Sequence, residues 1–111
     1  MISIEDFKKI EIKIGHILSA EKIEGSEKLL RLSVDFGEEA PRQVLSGIAK
    51  HFENPENLVS KKCAFATNLE PRKMMGLESQ AMILAVSGEG DKNFFSLLEV
   101  SSKVSPGSSA V

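Results

Sequence analysis

The stretch LRLSVDF, residues 30–36, alternates apolar and polar side chains without a break. Successive side chains of a strand point to opposite faces, so this alternation is typical of a β-strand with one buried face. The turn-like residues 37–41 follow, and RQVLSGI, residues 42–48, returns as a second apolar strand. The two strands predict a β-hairpin near the middle of the chain.

A first strand precedes this hairpin. Ile10, Ile12 and Ile14 alternate with charged residues, and the apolar phase shifts after Gly15. A phase shift at a glycine predicts a bulge or a sharp bend there. Before this strand, Ser3 with an acid three residues later predicts the N-cap of a short helix over about residues 4–9.

The second half of the chain predicts three more strands. Helical turns are expected near residues 50–52 and 55–59, before the strand KKCAFATNL (61–69). The stretch AMILAVS (81–87) is almost all apolar and predicts a buried fifth strand, followed by a turn at GEGD (88–91) and a short strand in NFFSLLEV (93–100). The Ser-rich tail from residue 101 is expected to be extended or partly loose.

This order of elements predicts one all-β domain over residues 1–111. Small all-β domains need closure to protect their strand edges. A five-stranded Greek-key OB-fold barrel, with a short helix between strands 3 and 4 and a short N-terminal helix, fits the pattern. A chain of this length can bury a core without disulfides.

The composition predicts a cytoplasmic protein. The single Cys63 allows no internal disulfide and fits a reducing compartment. No apolar run approaches the roughly 20 residues of a membrane helix, and the N-terminus lacks the apolar region of a signal peptide.

Side chains for catalysis or metal binding are sparse. His16, His51 and Cys63 show none of the spacings typical of zinc sites, and Ser46-Gly47 lacks the G-x-S-x-G elbow of a hydrolase. A core position is the expected role of Cys63, because free cysteines are usually buried. The sequence therefore predicts a protein that is not an enzyme and uses no cofactor or metal.

Positive charge is concentrated in one segment. Residues 61–76 contain Lys61, Lys62, Arg72 and Lys73 against one acid, a local charge of +3 by count on a chain whose net charge is −2. A local basic patch can bind phosphates even when the whole protein is acidic.

The segment NLEPRKMMGLESQAM, residues 68–82, predicts a binding loop in which cations meet phosphate and methionines make adaptable apolar contacts. The alternative is that the methionines fill the end of the barrel while the cations are simply solvated. The chain has no Trp or Tyr, and most of its six Phe occupy core-like positions. Base stacking on exposed aromatics is therefore disfavoured, and recognition of the shape and backbone of a folded RNA remains open.

Three ordered motifs, EGSEKLLRLSVDFGE, RQVLSGIAKHF and NLEPRKMMGLESQAMILA, resemble the tRNA-binding OB domain. That domain is appended to the C-terminus of methionyl-tRNA synthetases and also occurs as free-standing dimeric proteins. The resemblance runs from about Phe7 to the SPG near the end. It implies a non-catalytic OB barrel that binds tRNA near the outer elbow without reading the anticodon, assists a methionyl-tRNA synthetase to which it is fused or docked, and forms a homodimer through its terminal regions.

The resemblance also implies a set of tRNA-binding side chains at matching positions. They are Lys28, Arg42, Ser46, Asn68, Arg72, Lys73, Met74, Ser79 and Met82.

The chain departs from the family pattern at four positions. Lys13 replaces an arginine, His16 replaces a lysine, Met75 stands where a basic residue is frequent, and Ala81 stands where glycine is usual. These changes remove up to two cations, so they are expected to affect the strength of tRNA binding more than the fold.

Two further alternatives stay open from the sequence. A related free-standing OB protein acts as a secretion chaperone that binds unfolded peptides, and the methionines would then line a peptide groove. The chain has the extent of a free-standing protein, but a domain cut from a longer synthetase has the same pattern.

Overall fold

The computed structural model of the protein describes residues 1–88 and 94–110. Within these ranges the chain forms one short α-helix, two 3-10 turns and a series of strands. They are α1 (Ile4–Phe7), β1 (Ile12–Lys22), β2 (Leu30–Asp35), β3 (Arg42–Ser46), the 3-10 turns Ala49–His51 and Pro55–Leu58, β4 (Lys62–Ala66), β5 (Arg72–Met74), β6 (Leu77–Ser79), β7 (Met82–Ile83), β8 (Ala85–Ser87) and β9 (Phe95–Leu97).

Five strands form an antiparallel barrel in the order β3-β2-β1-β4-β7. The barrel is nearly closed because β7 packs beside β3. The β2–β3 hairpin pairs Leu30 with Ser46 and Val34 with Arg42. The 3-10 turns lie between β3 and β4, where an OB barrel carries its helix. The predicted OB-like all-β fold is therefore confirmed.

The core is built on the inward face of β2. Leu30, Leu32, Val34 and Phe36 are all buried, as their alternation predicts. The ring of Phe36 meets Phe65 of β4 edge-on, with 5.2 Å between ring centroids, which is a favourable aromatic arrangement.

The bulge in β1 does not lie at Gly15. The pairing register with β2 shifts between Ile17 and Ser19, so the bulge is at Leu18 and the prediction of a bulge at Gly15 is wrong. Gly15 is instead required by packing. A Cβ at this position would lie 2.5 Å from Val34 Cγ1 and 2.7 Å from Phe36 Cε1.

The expectation of a single buried fifth strand is also wrong. Residues 81–87 divide into β7, which closes the barrel, and β8, which leaves it to pair with β9. All three residues of β8 are exposed. The short strand predicted within residues 93–100 is present as β9, whereas the turn predicted at GEGD falls largely outside the described residues.

Both termini are attached to β1 or β4. The predicted N-cap is confirmed, since Ser3 Oγ accepts a hydrogen bond from the amide of Asp6, although the helix ends at Phe7. The tail is less loose than predicted. Lys62 Nζ donates to Ser102 O and Val104 O at the start of the tail, and further along Gly107 N donates to Ile14 O at 2.7 Å.

Candidate nucleic-acid interface

The predicted binding loop is a β-hairpin. β5 and β6 pair in register, with Arg72 opposite Ser79 and Met74 opposite Leu77. The two-residue connection Met75-Gly76 has φ values of 51° and 78°, and positive φ at both positions is the geometry of a type I′ hairpin turn. The predicted loop is therefore corrected to a strand at the cations, since Arg72 and Lys73 lie on β5.

Side-chain hydrogen bonds fix this hairpin to β3. Ser79 Oγ accepts from Leu45 N at 3.0 Å and donates to the oxygen of Ala81 at 3.0 Å. The side-chain oxygen Oε1 of Gln80 accepts from Gln43 N at 2.9 Å, and the backbone N–H of Gln80 donates to Gln43 O at 2.8 Å. Because Ser79 is buried, its expected place on the binding surface is corrected: it holds the hairpin in position.

Arg72 and Lys73 lie on opposite faces of the hairpin, as neighbours on a strand must. Arg72 and Met74 line a small cavity of about 30 Å³ between the hairpin and the barrel, together with Met82. Lys73 lies opposite Glu78 on the other face. Both cations are exposed, and neither forms an ion pair with a carboxylate of residues 1–88 or 94–110.

The tip of the hairpin reaches the connection between β1 and β2. Met75 Cε lies 3.5 Å from the position that a Cβ on Gly25 would take. Lys28, in the same connection, is exposed, and its carbonyl accepts from Ala49 N at 3.0 Å just beyond the end of β3. Ser46 is half-buried at that end of β3.

The structure thus brings six of the nine predicted site residues to one end of the barrel. We call this surface the hairpin rim; it consists of Lys28, Ser46, Arg72, Lys73, Met74 and Met82.

Arg42 lies outside the hairpin rim and stabilises the base of the hairpin. Its guanidinium binds Glu38 through two hydrogen bonds of 2.9 and 2.7 Å, and it donates to Thr67 O and Gln80 O. Its Cζ lies 5.4 Å from the centre of the Phe36 ring. The hydrogen bond lowers the pKa of Glu38 and raises the pKa of Arg42.

Asn68 is exposed, but both ends of its side-chain amide bond the N-terminal segment. Oδ1 accepts from Glu11 N at 2.8 Å, and Nδ2 donates to Lys9 O at 2.7 Å. The neighbouring Thr67 also bonds Glu11 O, through both its amide and its hydroxyl. Asn68 therefore joins the start of the hairpin segment to the residues between α1 and β1.

The basic segment predicted over residues 61–76 is separated in space. Lys61 Nζ pairs with Glu99 at 3.0 Å, and Lys62 Nζ donates to Ser102 O and Val104 O. These two lysines bind the C-terminal segment, so the positive charge of the hairpin rim comes from its own three cations.

A polar groove of about 420 Å³ lies beside the hairpin and was not predicted. It runs across the outward faces of β1, β2 and β3. Its lining includes two arginines, Arg31 of β2, which pairs with Glu21 of β1, and Arg42 of β3. Gln43 also lines it, and its Nε2 donates to Glu78 O on the hairpin at 2.8 Å. The alternation in β2 predicts that Arg31 lies on the outward face. It does not predict that Glu21 lies opposite, because that depends on the β1–β2 register.

The sequence profile described as "Putative tRNA binding domain" matches residues 12–109, which is nearly the whole chain. The chain belongs to the tRNA-binding domain family.

Relatives of this tRNA-binding domain include synthetases. The methionine–tRNA ligase of Caldanaerobacter subterraneus subsp. tengcongensis is 46% identical over 107 residues, which cover 96% of the chain and 16% of the ligase. The chain therefore spans about a sixth of the length of this relative.

Solved structures extend the comparison. The MetRS related protein of Pyrococcus horikoshii has a TM-score of 0.91 at 37% identity, covering 100% of this chain and 98% of that one. The chaperone CsaA of Bacillus anthracis has a TM-score of 0.84 at 27% identity, covering 100% and 99% of the two chains.

Cys63 and His51, which the sequence offered as candidate reactive or metal-binding residues, have other surroundings in the structure. Burial raises the pKa of the Cys63 thiol to about 11, which confirms the predicted core position of this residue. The exposed His51 stacks on Phe95 with ring centroids 4.0 Å apart, so its ring is partly covered rather than simply solvated. Within the described ranges, no helix is long and apolar enough to cross a membrane.

Proposed function

We propose that this domain binds tRNA through the hairpin rim and recognises the backbone and shape of the folded RNA. The observation that carries the proposal is the rigid β5–β6 hairpin. It is fixed to β3 through Ser79 and Gln80, and it presents Arg72 and Lys73 without a carboxylate partner in the described part of the chain. Met74 and Met82 supply polarisable apolar contacts for ribose or an unstacked base.

Counterion release sets the expected salt dependence. Each phosphate contact contributes about −0.7 to −0.9 to the slope of log K against log salt. If both faces of the hairpin meet the RNA, three rim cations give a slope of about −2.1 to −2.7, and affinity falls by about 20- to 40-fold between 50 and 200 mM salt. If one face meets it, two cations give a slope of about −1.4 to −1.8 and a fall of about 7- to 12-fold.

The test titrates total tRNA against the wild type at two salt concentrations, and then against Arg72→Ala, Lys73→Ala and the double variant. Because the two side chains lie on opposite faces of the hairpin, the single variants show which face meets the RNA. Lys103→Ala is a matched control, since this exposed lysine lies in the tail. Unchanged tRNA binding by the double variant would remove the hairpin from the interface.

In the cell, this domain increases the local concentration of tRNA beside a methionyl-tRNA synthetase, either as part of the same chain or as a docked partner. The identity to methionine–tRNA ligases supports this role. The role is non-catalytic and cytoplasmic. Adding the domain to a synthetase that lacks its own copy should lower KM for tRNA and leave kcat unchanged, because only binding is improved.

The domain acts as a homodimer in this proposal. Helix α1 buries none of its residues, and Ile4, Phe7 and Ile10 are exposed along a groove that Ile12 and Ala110 also line. A helix whose apolar side chains are not packed against the rest of the protein indicates a binding surface. A second copy would cover this surface and add a second rim, which increases avidity for one tRNA.

The test of the dimer is molecular mass by light scattering. Phe7→Glu should give a monomer, whereas Leu18→Glu, an equally exposed apolar position at the bulge of β1, should leave the mass unchanged. A monomeric wild type would contradict the dimer without affecting the tRNA proposal.

A peptide-binding chaperone is the second candidate. It is supported by the likeness to chaperone CsaA at 27% identity and by the exposed Met75 and Met82. Competition between the two ligands decides between these functions. If an unfolded peptide binds and tRNA does not displace it, the chaperone function replaces the first proposal.

A further inference from the structure

The polar groove on the outward faces of β1, β2 and β3 borders the hairpin rim. Gln43 lines the groove and also donates to the hairpin at Glu78 O, so the two surfaces share an edge. In OB barrels, the face of strands 2 and 3 and the neighbouring loops bind oligonucleotides. An RNA backbone that contacts the hairpin can therefore extend into this groove.

Two arginines line this groove: Arg42, which Glu38 holds through two hydrogen bonds, and Arg31. Arg31 and Glu21 are directly opposite each other in the β1–β2 register. Arg31 Nε donates to Glu21 Oε1 at 2.6 Å, and a terminal nitrogen of the same guanidinium contacts the same oxygen. The side chains are 43% and 56% exposed, so an anion from solution can reach the pair.

The pair is weak enough to exchange its acceptor. Exposed Arg–Glu pairs contribute little stability, because water screens them and both side chains lose freedom. A guanidinium has five N–H donors, and Glu21 engages it through one oxygen. A phosphate can share Arg31 or replace the carboxylate, with the two-point geometry that guanidinium groups favour.

We propose that Arg31 is a phosphate contact for the bound RNA and that Glu21 competes with the RNA for it. Glu21 thus limits the affinity of the domain by occupying Arg31. This inference rests on the proposed tRNA-binding function and names an ion pair of this chain that sets its affinity.

The test measures tRNA affinity and its salt slope for Glu21→Gln, Arg31→Gln and the double variant. Glu21→Gln should bind tRNA up to about fivefold more tightly, the range that an exposed ion pair allows. Arg31→Gln should bind more weakly, with a slope shallower by about 0.7 to 0.9. In the Arg31→Gln background, Glu21→Gln should give no gain beyond that of the matched control Glu53→Gln. This control removes the same charge from an exposed loop that forms no ion pair in the described ranges.

The outcomes separate this inference from the function on which it rests. If Glu21→Gln matches Glu53→Gln, or Arg31→Gln binds like the wild type while the Arg72→Ala/Lys73→Ala variant is impaired, the groove is not a contact and the hairpin site stands. If the wild type binds no tRNA, both proposals are overturned. Thermal unfolding of each variant confirms that an altered affinity is measured on folded protein.

Discussion

Replacing Asn68 with Ala should loosen the N-terminal segment and destabilise the domain. The substitution removes two hydrogen bonds, one of 2.8 Å from Glu11 N and one of 2.7 Å to Lys9 O. A net contribution of about 0.5 to 1.5 kcal/mol each sets the range. Both backbone groups belong to exposed residues, so water can replace the amide, and the expected loss is about 1 to 2 kcal/mol.

Thermal and urea unfolding measure this loss. With an unfolding entropy of about 2.1 cal/mol/K per residue, a loss of 1 to 2 kcal/mol lowers Tm by about 4 to 9 °C. Asn57→Ala is the matched control, because Asn57 is equally exposed and its side chain makes no hydrogen bond in the described ranges. Hydrogen exchange should also accelerate at the Glu11 amide in Asn68→Ala.

The refuting result is simple to recognise. If Asn68→Ala unfolds like Asn57→Ala and the Glu11 amide keeps its protection, the two bonds to Asn68 do not hold the segment. Thr67 would then be the main attachment, since it bonds the oxygen of Glu11 in two ways.

Three further substitutions or conditions test the fold and its ionisable groups. Gly15→Ala should cost about 3 kcal/mol or more in urea unfolding, because the new Cβ overlaps three core side chains, whereas Gly47→Ala meets no atom within 4 Å and should change stability by less than about 0.5 kcal/mol. The pKa of Glu38 is lowered by its hydrogen bond with Arg42, so this pair stabilises the fold above the ordinary pKa of 4.5, and the contribution is lost as pH falls through the lowered value. Urea unfolding from pH 7 to pH 3 should therefore show a shallower loss of stability in Glu38→Gln than in the wild type, and equal slopes would contradict the pairing. A thiol reagent should leave Cys63 unmodified at pH 8 in the folded protein, because burial raises its pKa to about 11, and should label it fully in denaturant. Rapid labelling without denaturant would show that the thiol is accessible.

The β2–β3 hairpin could be predicted because its information is local. Apolar and polar residues alternate from Leu30 to Phe36, and the connection contains a glycine and a proline. Alternation and turn chemistry within a few residues are sufficient to indicate the element.

The β5–β6 hairpin was not predicted because its signals are weak. Its strands have three residues each, and its turn is Met75-Gly76 rather than the Asn-Gly or Asp-Gly that usually marks a type I′ turn. Tertiary hydrogen bonds from Ser79 and Gln80 to β3 stabilise it, and these contacts span more than 30 residues of sequence.

The position of each site residue depended on similar long-range contacts. The resemblance indicated which positions belong to the binding motif but not which of them are exposed. Arg42, Asn68 and Ser79 each bond backbone groups that are distant in sequence. The ion pair between Arg31 and Glu21 depends on a β1–β2 register that a bulge at Leu18 shifts by one residue.

The motif residues therefore divide into those that hold the hairpin and those that the hairpin presents. Under the proposed function, substitution in either group should weaken tRNA binding, so an affinity measurement alone does not identify a contact. Salt dependence separates the two groups, because loss of a phosphate contact at Arg72 or Lys73 makes the slope shallower without changing stability. Loss of a holding residue such as Ser79 leaves a buried backbone amide without a partner, which costs about 1 to 3 kcal/mol of folding free energy. Such a loss lowers affinity by loosening the hairpin. The cations that release counterions remain, so the salt slope of tRNA binding stays close to that of the wild type while the free energy of unfolding falls.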